Sequence, residues 1–286
     1  MSSATRAWLM VGLAALVAAA ALHTLVLLGV GAVWSAMVHL TVFGWTSALI
    51  VAVSRHALPM FTGKSFPQQW MAWAQLAAFV PGVTLAAAGL VQGYIPITLA
   101  GLGLELLAAL LFAAHALLLH TRGKLRGAGP MRPPIAGIEQ TDGLSTAATL
   151  AGAACLPLAL ALMAAGRAGV LRGEWWLAGE HLAALGWVML TIVGIALRVL
   201  PRFTGKALRG VGWARAQLVC HAAALVLMAA ALGLGLPRLF AAGGVLMAVA
   251  TALFASTVGT TIDFGLGSAD IGVLHGRRDP ESGKAR

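Results

Sequence analysis

Apolar residues run along this chain in long unbroken stretches, within which apolar and polar positions do not alternate. Eight stretches approach or exceed the roughly 20 residues with which a helix crosses the hydrocarbon core of a bilayer. They lie near residues 8–31, 34–57, 73–94, 96–119, 147–166, 178–200, 214–235 and 239–262. Continuous apolar runs favour helices over barrel strands, whose two faces alternate. The pattern therefore predicts an all-α fold, a polytopic transmembrane bundle of eight helices.

The second half of this pattern repeats the first. Residues 34–64 read WSAMVHLTVFGWTSALIVAVSRHALPMFTGK, and residues 176–206 read WLAGEHLAALGWVMLTIVGIALRVLPRFTGK, at a constant offset of 142 without a gap. Of these 31 aligned positions, 14 are identical. Each half holds four predicted spans, and an even number returns the chain to its starting side. We therefore predict two parallel four-helix repeats, related by a pseudo-two-fold axis along the membrane normal.

Polar segments separate and follow the two repeats. We assign transmembrane repeat 1 to residues 1–120, a linker to 121–146, transmembrane repeat 2 to 147–264 and a polar tail to 265–286. The linker is rich in Gly, Pro and Arg and shows no apolar periodicity. We expect it to be an irregular connector on the cytoplasmic side, where the tail is expected as well.

The basic charge of the chain follows its topology. The sequence has 19 Lys and Arg against 9 Asp and Glu, a formal net charge of +10. In the eight-helix arrangement, all basic residues except Arg167, Arg172 and Arg238 fall on the side that holds both termini. This asymmetry predicts cytoplasmic termini and a multi-pass protein of the bacterial inner membrane. We interpret the charge as topology determinants and lipid headgroup contacts, with the lipid bilayer as a partner and no nucleic acid.

A shared element, LPxFTGK, closes the second span of each repeat. Pro59 and Pro201 disfavour continuation of the helix, because proline lacks the backbone N–H and clashes with the preceding turn. Gly63 and Gly205 permit a tight turn. A helix stop that anchors the span at the headgroups is one interpretation. A group that holds the carboxylate or phosphate of a ligand is the other.

The duplicated histidines are the main candidates for chemistry. His39 and His181 lie at equal depth in their helices, and His23 falls in the same layer, about 5–12 Å below the outer interface at ~1.5 Å of rise per residue. Imidazole is a common ligand for haem iron, copper and zinc. Two histidines on facing helices suit bis-axial ligation of one haem b. Copper or another metal ion is the less favoured cofactor, and simple packing is the alternative.

Two further duplicated pairs lie beside these histidines. Gly44 and Gly186 follow them by five residues, and their missing side chains could give a macrocycle room. Small residues also let helices approach closely, which explains each glycine equally well. Trp45 and Trp187 lie about two turns inside the membrane and are candidates for packing on a ring.

The other histidines and the cysteines are weaker candidates. His56, His115 and His120 could form a metal site at the inner end of the bundle, although snorkelling to the headgroups explains them better. His221 is expected to hydrogen-bond to a neighbour. The 2 cysteines lie far apart in apolar segments, and no CxxC motif is present. We interpret them as core residues rather than as a disulfide or a zinc site.

Two carboxylates lie within predicted spans. Glu105 is inside the fourth span, where the other repeat has Met247, and Glu180 directly precedes His181. A carboxylate in the membrane is costly and usually marks a path for protons or substrate. We predict a proton path through Glu105. Glu180 either reaches the outer interface, orients a histidine or takes a proton near the site.

The two histidine blocks resemble the NnrS family and, more distantly, subunit I of the haem–copper oxidases and nitric oxide reductases. NnrS-like proteins pair an H-x(4)-G helix with a following P-x-x-T-G turn, and a later histidine helix ends in T-G-[RK]. The matching residues here are His39, Gly44, Pro59, Thr62 and Gly63, then His181, Gly186, Pro201, Thr204 and Gly205. The resemblance implies a polytopic protein that contains haem and metal and is associated with nitric oxide and denitrification stress.

These observations leave three functions open. The first is a membrane protein that binds a haem or metal ion between the repeats and serves electron transfer, nitric oxide handling or haem-based sensing, with a redox partner or a respiratory complex as partner. The second is a proton-coupled secondary transporter, since parallel repeats suit alternating access and Glu105 would carry the proton. The third is a structural or assembly subunit of a respiratory complex.

Overall fold

The computed structural model describes residues 2–125 and 137–262 of the chain. In this part it contains eight helices that are long and apolar enough to cross a membrane. Strand structure in the same residues consists of one short antiparallel pair, β1 (Lys64–Ser65) with β2 (Lys124–Leu125). The predicted all-α, polytopic transmembrane bundle is confirmed.

The first half of the bundle runs from α1 to α5. Its helices are α1 (Ser3–Leu27), α2 (Trp34–His39), α3 (Ser47–Thr62), α4 (Trp70–Gln92) and α5 (Ile95–Arg122). A π-helical segment, π1 (Leu40–Thr46), joins α2 to α3, and together they form the second span. This span is long and apolar enough to cross the hydrocarbon core of a bilayer.

The second half has the same order of elements. Its helices are α6 (Ile138–Arg167), α7 (Trp175–His181), α8 (Leu190–Thr204), α9 (Val211–Leu234) and α10 (Pro237–Thr261). A second π-helical segment, π2 (Leu182–Met189), joins α7 to α8. It begins at the position equivalent to the start of π1 in the duplicated sequence.

Matching helices have matching partners within the two halves. α4 and α5 form a hairpin, as do α9 and α10. α1 packs on π1 and α3, just as α6 packs on π2 and α8. Between the halves, α5 packs along α6, and π1 touches π2. The two halves therefore share their order of elements and their packing partners, while the two parallel repeats and the axis that relates them stay a prediction.

The second span of each half ends later than its proline suggests. α3 and α8 continue past Pro59 and Pro201 by most of a turn. They end at Gly63 and Gly205, whose φ angles of 66° and 68° lie in the left-handed region that glycine adopts without strain. Both helices end within the LPxFTGK element, as predicted, although at its glycine rather than at its proline. The predicted glycine turn is confirmed.

The segment predicted as a linker, 121–146, is partly helical. α6 begins at Ile138 rather than near residue 147. The prediction failed because the first turns of α6 are polar, and their polar groups are bonded by arginines of α8. Residues 126–136 and the predicted tail, 265–286, lie outside the described residues.

Candidate functional site

Each duplicated histidine is the last α-helical residue before a π-helical segment. His39 ends α2 and precedes π1, and His181 ends α7 and precedes π2. Turns of π-helix are rare and occur frequently at functional sites. The sequence repeat is thus also a repeat of an unusual backbone conformation, and the two unusual segments touch each other at the interface between the halves.

The carbonyl groups of both π segments accept hydrogen bonds from side chains. In π1, Thr46 Oγ1 donates to Thr41 O at 2.8 Å. In π2, Leu185 O accepts from Nε2 of His221, a buried residue of α9, at 2.8 Å. His221 is therefore a structural donor, as the prediction that it bonds to a neighbour requires. No residue pattern in the sequence predicted the π segment whose carbonyl group His221 bonds.

The His39 side chain is buried and paired with a carboxylate. Its Nε2 lies 2.8 Å from Oε1 of Glu105 on α5, and the two side chains are 0% and 2% exposed. The imidazole stacks on Phe43, with ring centroids 4.8 Å apart and an interplanar angle of 21°. Nδ1 is buried and has no hydrogen-bond partner in the described part of the chain. His39 was predicted as a haem or metal ligand and Glu105 as part of a proton path, and the two side chains form one pair.

This pair can hold one proton or two, and each state is costly. With one proton, on Nε2, the imidazole is neutral, and the Glu105 carboxylate is an anion in an apolar bundle with a single charge-assisted hydrogen bond. With two protons the pair has no net charge. The His39 Nδ1–H is then a buried donor without an acceptor, which costs about 1–3 kcal/mol.

A small cavity lies beside the pair. It has room for about one water molecule. Polar side chains of Ser47, Gln75 and Glu105 line it, among apolar ones such as Phe43 and Leu160. Gln75 is 2% exposed, and its Oε1 has no partner among the described residues. The size and lining of this cavity suit a water that hydrogen-bonds to the carboxylate and the amide.

One hydrogen bond joins the two halves at this cavity. Trp187 Nε1 donates to Ser47 Oγ at 2.9 Å, and the indole packs edge-on against Phe112 with centroids 5.4 Å apart. The predicted packing of Trp187 on the ring of a cofactor stays a prediction, and within the chain its indole contacts a phenylalanine of α5. Its counterpart Trp45 is only partly buried. The two tryptophans thus diverge in environment, although they align in sequence.

Glu180 brings the second half to the pair. Its Oε1 accepts a hydrogen bond from Trp176 Nε1 at 2.9 Å. The side chain is partly buried and interacts electrostatically with both His39 and His181. Glu180 therefore lies within electrostatic range of both histidines, and no hydrogen bond among the described residues joins it to the His39–Glu105 pair.

His181 is held differently from His39. Its Nδ1–H donates to Leu177 O, one turn earlier in α7, at 2.9 Å. The ring is partly buried and packs edge-on against Phe240 of α10, with centroids 5.6 Å apart. The bond to the carbonyl fixes the tautomer and leaves Nε2 as an acceptor.

The space beside the duplicated glycines is occupied by neighbouring helices and is not left open for a macrocycle. A Cβ at Gly44 would lie 3.0 Å from Cβ of Ala15 on α1. A Cβ at Gly186 would lie 2.8 Å from Cys155 on α6. Of the two interpretations of these glycines, the close approach of helices is the one that the packing fits.

The histidine side chains, as they lie, do not fit a haem between them. His39 Nε2 is engaged by Glu105, and His181 faces its own helix and α10. Among the described residues, no group of three or more His, Cys, Asp or Glu side chains could hold a metal ion. Haem or metal ligation by His39 and His181 stays a prediction.

The remaining predicted histidines do not join this site. His23 is exposed on α1, and His56 is exposed on α3. His115 is buried, and both of its ring nitrogens are hydrogen-bonded to the protein. The side chain of His120 lies outside the described residues. The predicted metal site of His56 with His115 is therefore not assembled, because the first faces outward and the second is fully engaged.

Sequence reasoning missed a charged cluster where α6 begins and α8 ends. Arg202 bonds both carboxylate oxygens of Asp142, at 2.8 and 2.7 Å. Arg198 bonds Ser145 Oγ at 3.1 Å and Thr146 Oγ1 at 2.7 Å. The available signal was two arginines one turn apart within a span, which must find partners in low dielectric. This cluster holds α6 to α8 and explains the early start of α6.

No protein family, curated protein or solved structure matches this chain. The resemblance to the NnrS family accordingly rests on the two histidine blocks alone.

Proposed function

We propose that the protein is a proton-coupled secondary transporter of the bacterial inner membrane, in which the His39–Glu105 pair binds and releases the coupled proton. The observation that carries this proposal is the 2.8 Å contact between two buried ionisable groups inside a bundle of membrane-spanning helices. Ionisable side chains at such positions are costly, and they are kept where protons or substrates pass.

The surroundings of the pair support coupling to a movement of the two halves. His39 and Glu105 belong to the first half, whereas Glu180 and Trp187 approach from the second. A relative movement of the halves would change the charge that faces the pair, and so its affinity for protons. Repeats of parallel orientation provide the two arrangements that alternating access requires.

The distribution of basic residues indicates the side of the membrane with which the pair would exchange protons. It favours termini in the cytoplasm. His39 lies near the start of the second span, on the side away from the termini, so the pair would exchange protons with the outer side of the membrane. Glu180, which is partly buried and lies near both histidines, would relay them.

Currents after a pH jump test the proposal. Purified protein in liposomes on a solid-supported membrane should give a transient current when the outer pH is stepped, because proton binding moves charge into the protein. Glu105→Gln keeps the shape and a hydrogen bond to His39 but cannot take up a proton, so it should lose the current. Glu139→Gln, at an exposed position early in α6, is the matched control. An unchanged current in Glu105→Gln would contradict the proposal.

A second candidate is haem-based electron transfer or nitric oxide handling, as the NnrS resemblance implies. One observation favours it. His181 Nδ1–H bonds a backbone carbonyl, an arrangement that orients a ligating histidine and leaves Nε2 for the metal. One visible spectrum, oxidised and dithionite-reduced, of protein from haem-replete cells separates the candidates. Haem bands that disappear in both His39→Ala and His181→Ala would favour the second candidate, whereas the transporter proposal predicts no such bands.

A further inference from the structure

We propose that Arg55 is the cation of an anion-binding site, and that the ligand carries a phosphate or a carboxylate group. Arg55 lies in α3, about two turns before the Gly63 turn, and is 7% exposed. The site is at the opposite end of the bundle from His39, and the inference does not depend on the proposed transport function.

Within the described residues, Arg55 contacts neutral groups. Its Nη1 lies 3.3 Å from His115 Nδ1, and its Cζ lies 5.2 Å from the centre of the Phe66 ring. His115 Nε2 donates to Pro67 O at 2.6 Å. Nδ1 is therefore the bare nitrogen of a neutral imidazole, and it accepts from the guanidinium. No carboxylate in the described part of the chain bonds to Arg55.

The second half shows how this chain compensates a buried arginine. Arg198 is 6% exposed and lies one position beyond the equivalent of Arg55. It bonds two hydroxyl groups, and its Nε lies 3.7 Å from a carboxylate oxygen of Asp142. A buried charge that lacks such a counter-ion is expensive. Arg55 has the burial of Arg198 without its carboxylate.

The fold itself does not need a cation at this position. In the duplicated sequence, Leu197 is equivalent to Arg55 and Leu208 to Phe66. Both leucines are buried in one apolar cluster. The same place in the backbone is thus filled by an apolar side chain in one half and by a guanidinium in the other. We therefore attribute the charge to a ligand, since the backbone at this position accepts an apolar side chain equally well.

The guanidinium keeps an open side for that ligand. No Arg55 nitrogen is both fully buried and without a hydrogen-bond partner in the described residues. The nitrogens that do not bond His115 therefore retain access from outside. A planar guanidinium binds phosphate or carboxylate through parallel N–H groups.

Two sources carry this chemistry, the phosphate of an anionic lipid headgroup and a soluble anion. Thermal unfolding of the purified full chain distinguishes them. One arm compares nanodiscs of phosphatidylcholine with nanodiscs that also contain phosphatidylglycerol. The other adds inorganic phosphate in a neutral detergent at constant ionic strength. A wild-type response to phosphatidylglycerol alone assigns the headgroup, and a response to inorganic phosphate assigns a soluble anion.

We expect the unfolding midpoint of the wild type to rise by a few degrees in at least one arm, and Arg55→Leu not to respond. Arg198→Leu is the matched control, which should be less stable but should respond like the wild type. Without the anion, Arg55→Leu should unfold at the same or a higher temperature than the wild type, since it removes an uncompensated charge. Arg55→Lys, which keeps the charge without the planar fork, should respond weakly and serves if the leucine variant folds poorly. Equal responses of wild type and Arg55→Leu, or no wild-type response in either arm, would overturn the proposal.

Discussion

The two halves of the bundle share a backbone and differ in what they bury. His39 is buried against Glu105, whereas the equivalent His181 is partly buried and bonds its own helix. The residue equivalent to Glu105 is Met247, which is also buried. A thioether fills the place of the carboxylate without loss of the fold. The comparison teaches that the fold does not require the acid of the first half.

The charged residues of the two halves differ in the same way. Arg198 and Arg202 of the second half are compensated by Asp142 within the chain. Arg55 of the first half is not compensated by any described carboxylate, and leucine replaces it in the second half. In the second half, the compensated charges of Arg198 and Arg202 stabilise the contact between α6 and α8. In the two proposals above, the buried ionisable groups of the first half serve a proton and an anion.

The largest effect on stability should come from the helix hairpins. A Cβ at Gly101 of α5 would strike the backbone of Ala86, whereas a Cβ at the equivalent Gly243 would first meet Cγ of Met228. We expect Gly101→Ala to lower the free energy of unfolding by about 3 kcal/mol and Gly243→Ala by about 1 kcal/mol, because a side chain yields more easily than a backbone. Denaturant unfolding in detergent measures both.

The control for this pair is Gly103→Ala, because nothing lies within 4 Å of a Cβ at that position. It should leave stability unchanged or slightly higher. Equal losses at Gly101 and Gly243 would show that the hairpins of the two halves do not differ in how closely their helices approach.

The next effect should come from the charged cluster of the second half. Asp142→Ala leaves two arginines without their carboxylate. Breaking a fully buried pair costs roughly 3–5 kcal/mol, and solvent reaches the 30% exposed Asp142 side chain, so we expect a loss of about 2 kcal/mol. Unfolding of the purified variant measures it, with Glu139→Ala at an exposed site as control. If Asp142→Ala loses no more stability than Glu139→Ala, the cluster does not hold α6 to α8.

The smallest effect should come from the bond between the halves. Trp187→Phe removes the donor to Ser47 and keeps most of the aromatic packing. We expect it to cost about 1 kcal/mol, the usual net value of a hydrogen bond. Trp45→Phe, at the equivalent but partly buried position, should cost less in the same unfolding assay. If the two cost the same, the hydrogen bond contributes nothing to the contact between the halves.

The features that follow from hydropathy could be predicted from sequence. Eight apolar runs predicted the eight membrane-spanning helices found in the described part of the chain, because a bilayer dictates both length and composition. The turns at Gly63 and Gly205 followed from the conformational freedom of glycine. The start of α6 at Ile138 did not follow, since its polar face is satisfied by side chains distant in sequence.

The candidate site could be predicted only in part. His39 and Glu105 were each identified, but their contact depends on how α2 and α5 are rotated toward each other. An apolar helix with little amphipathic pattern does not reveal that rotation. The π segments were missed because no residue pattern specifies them. Arg55 was counted as a topology determinant, since its lack of a carboxylate is visible only after packing.

The most direct test of the central claim, that the buried pair of the first half exchanges a proton, is infrared difference spectroscopy of the protein in lipid as the pH is stepped between acidic and alkaline values. The account predicts carboxyl and imidazole bands that change together in the wild type. Both should vanish in Glu105→Gln and persist in Glu139→Gln. Spectral changes that are the same in wild type and Glu105→Gln, or no change across this range, would contradict it.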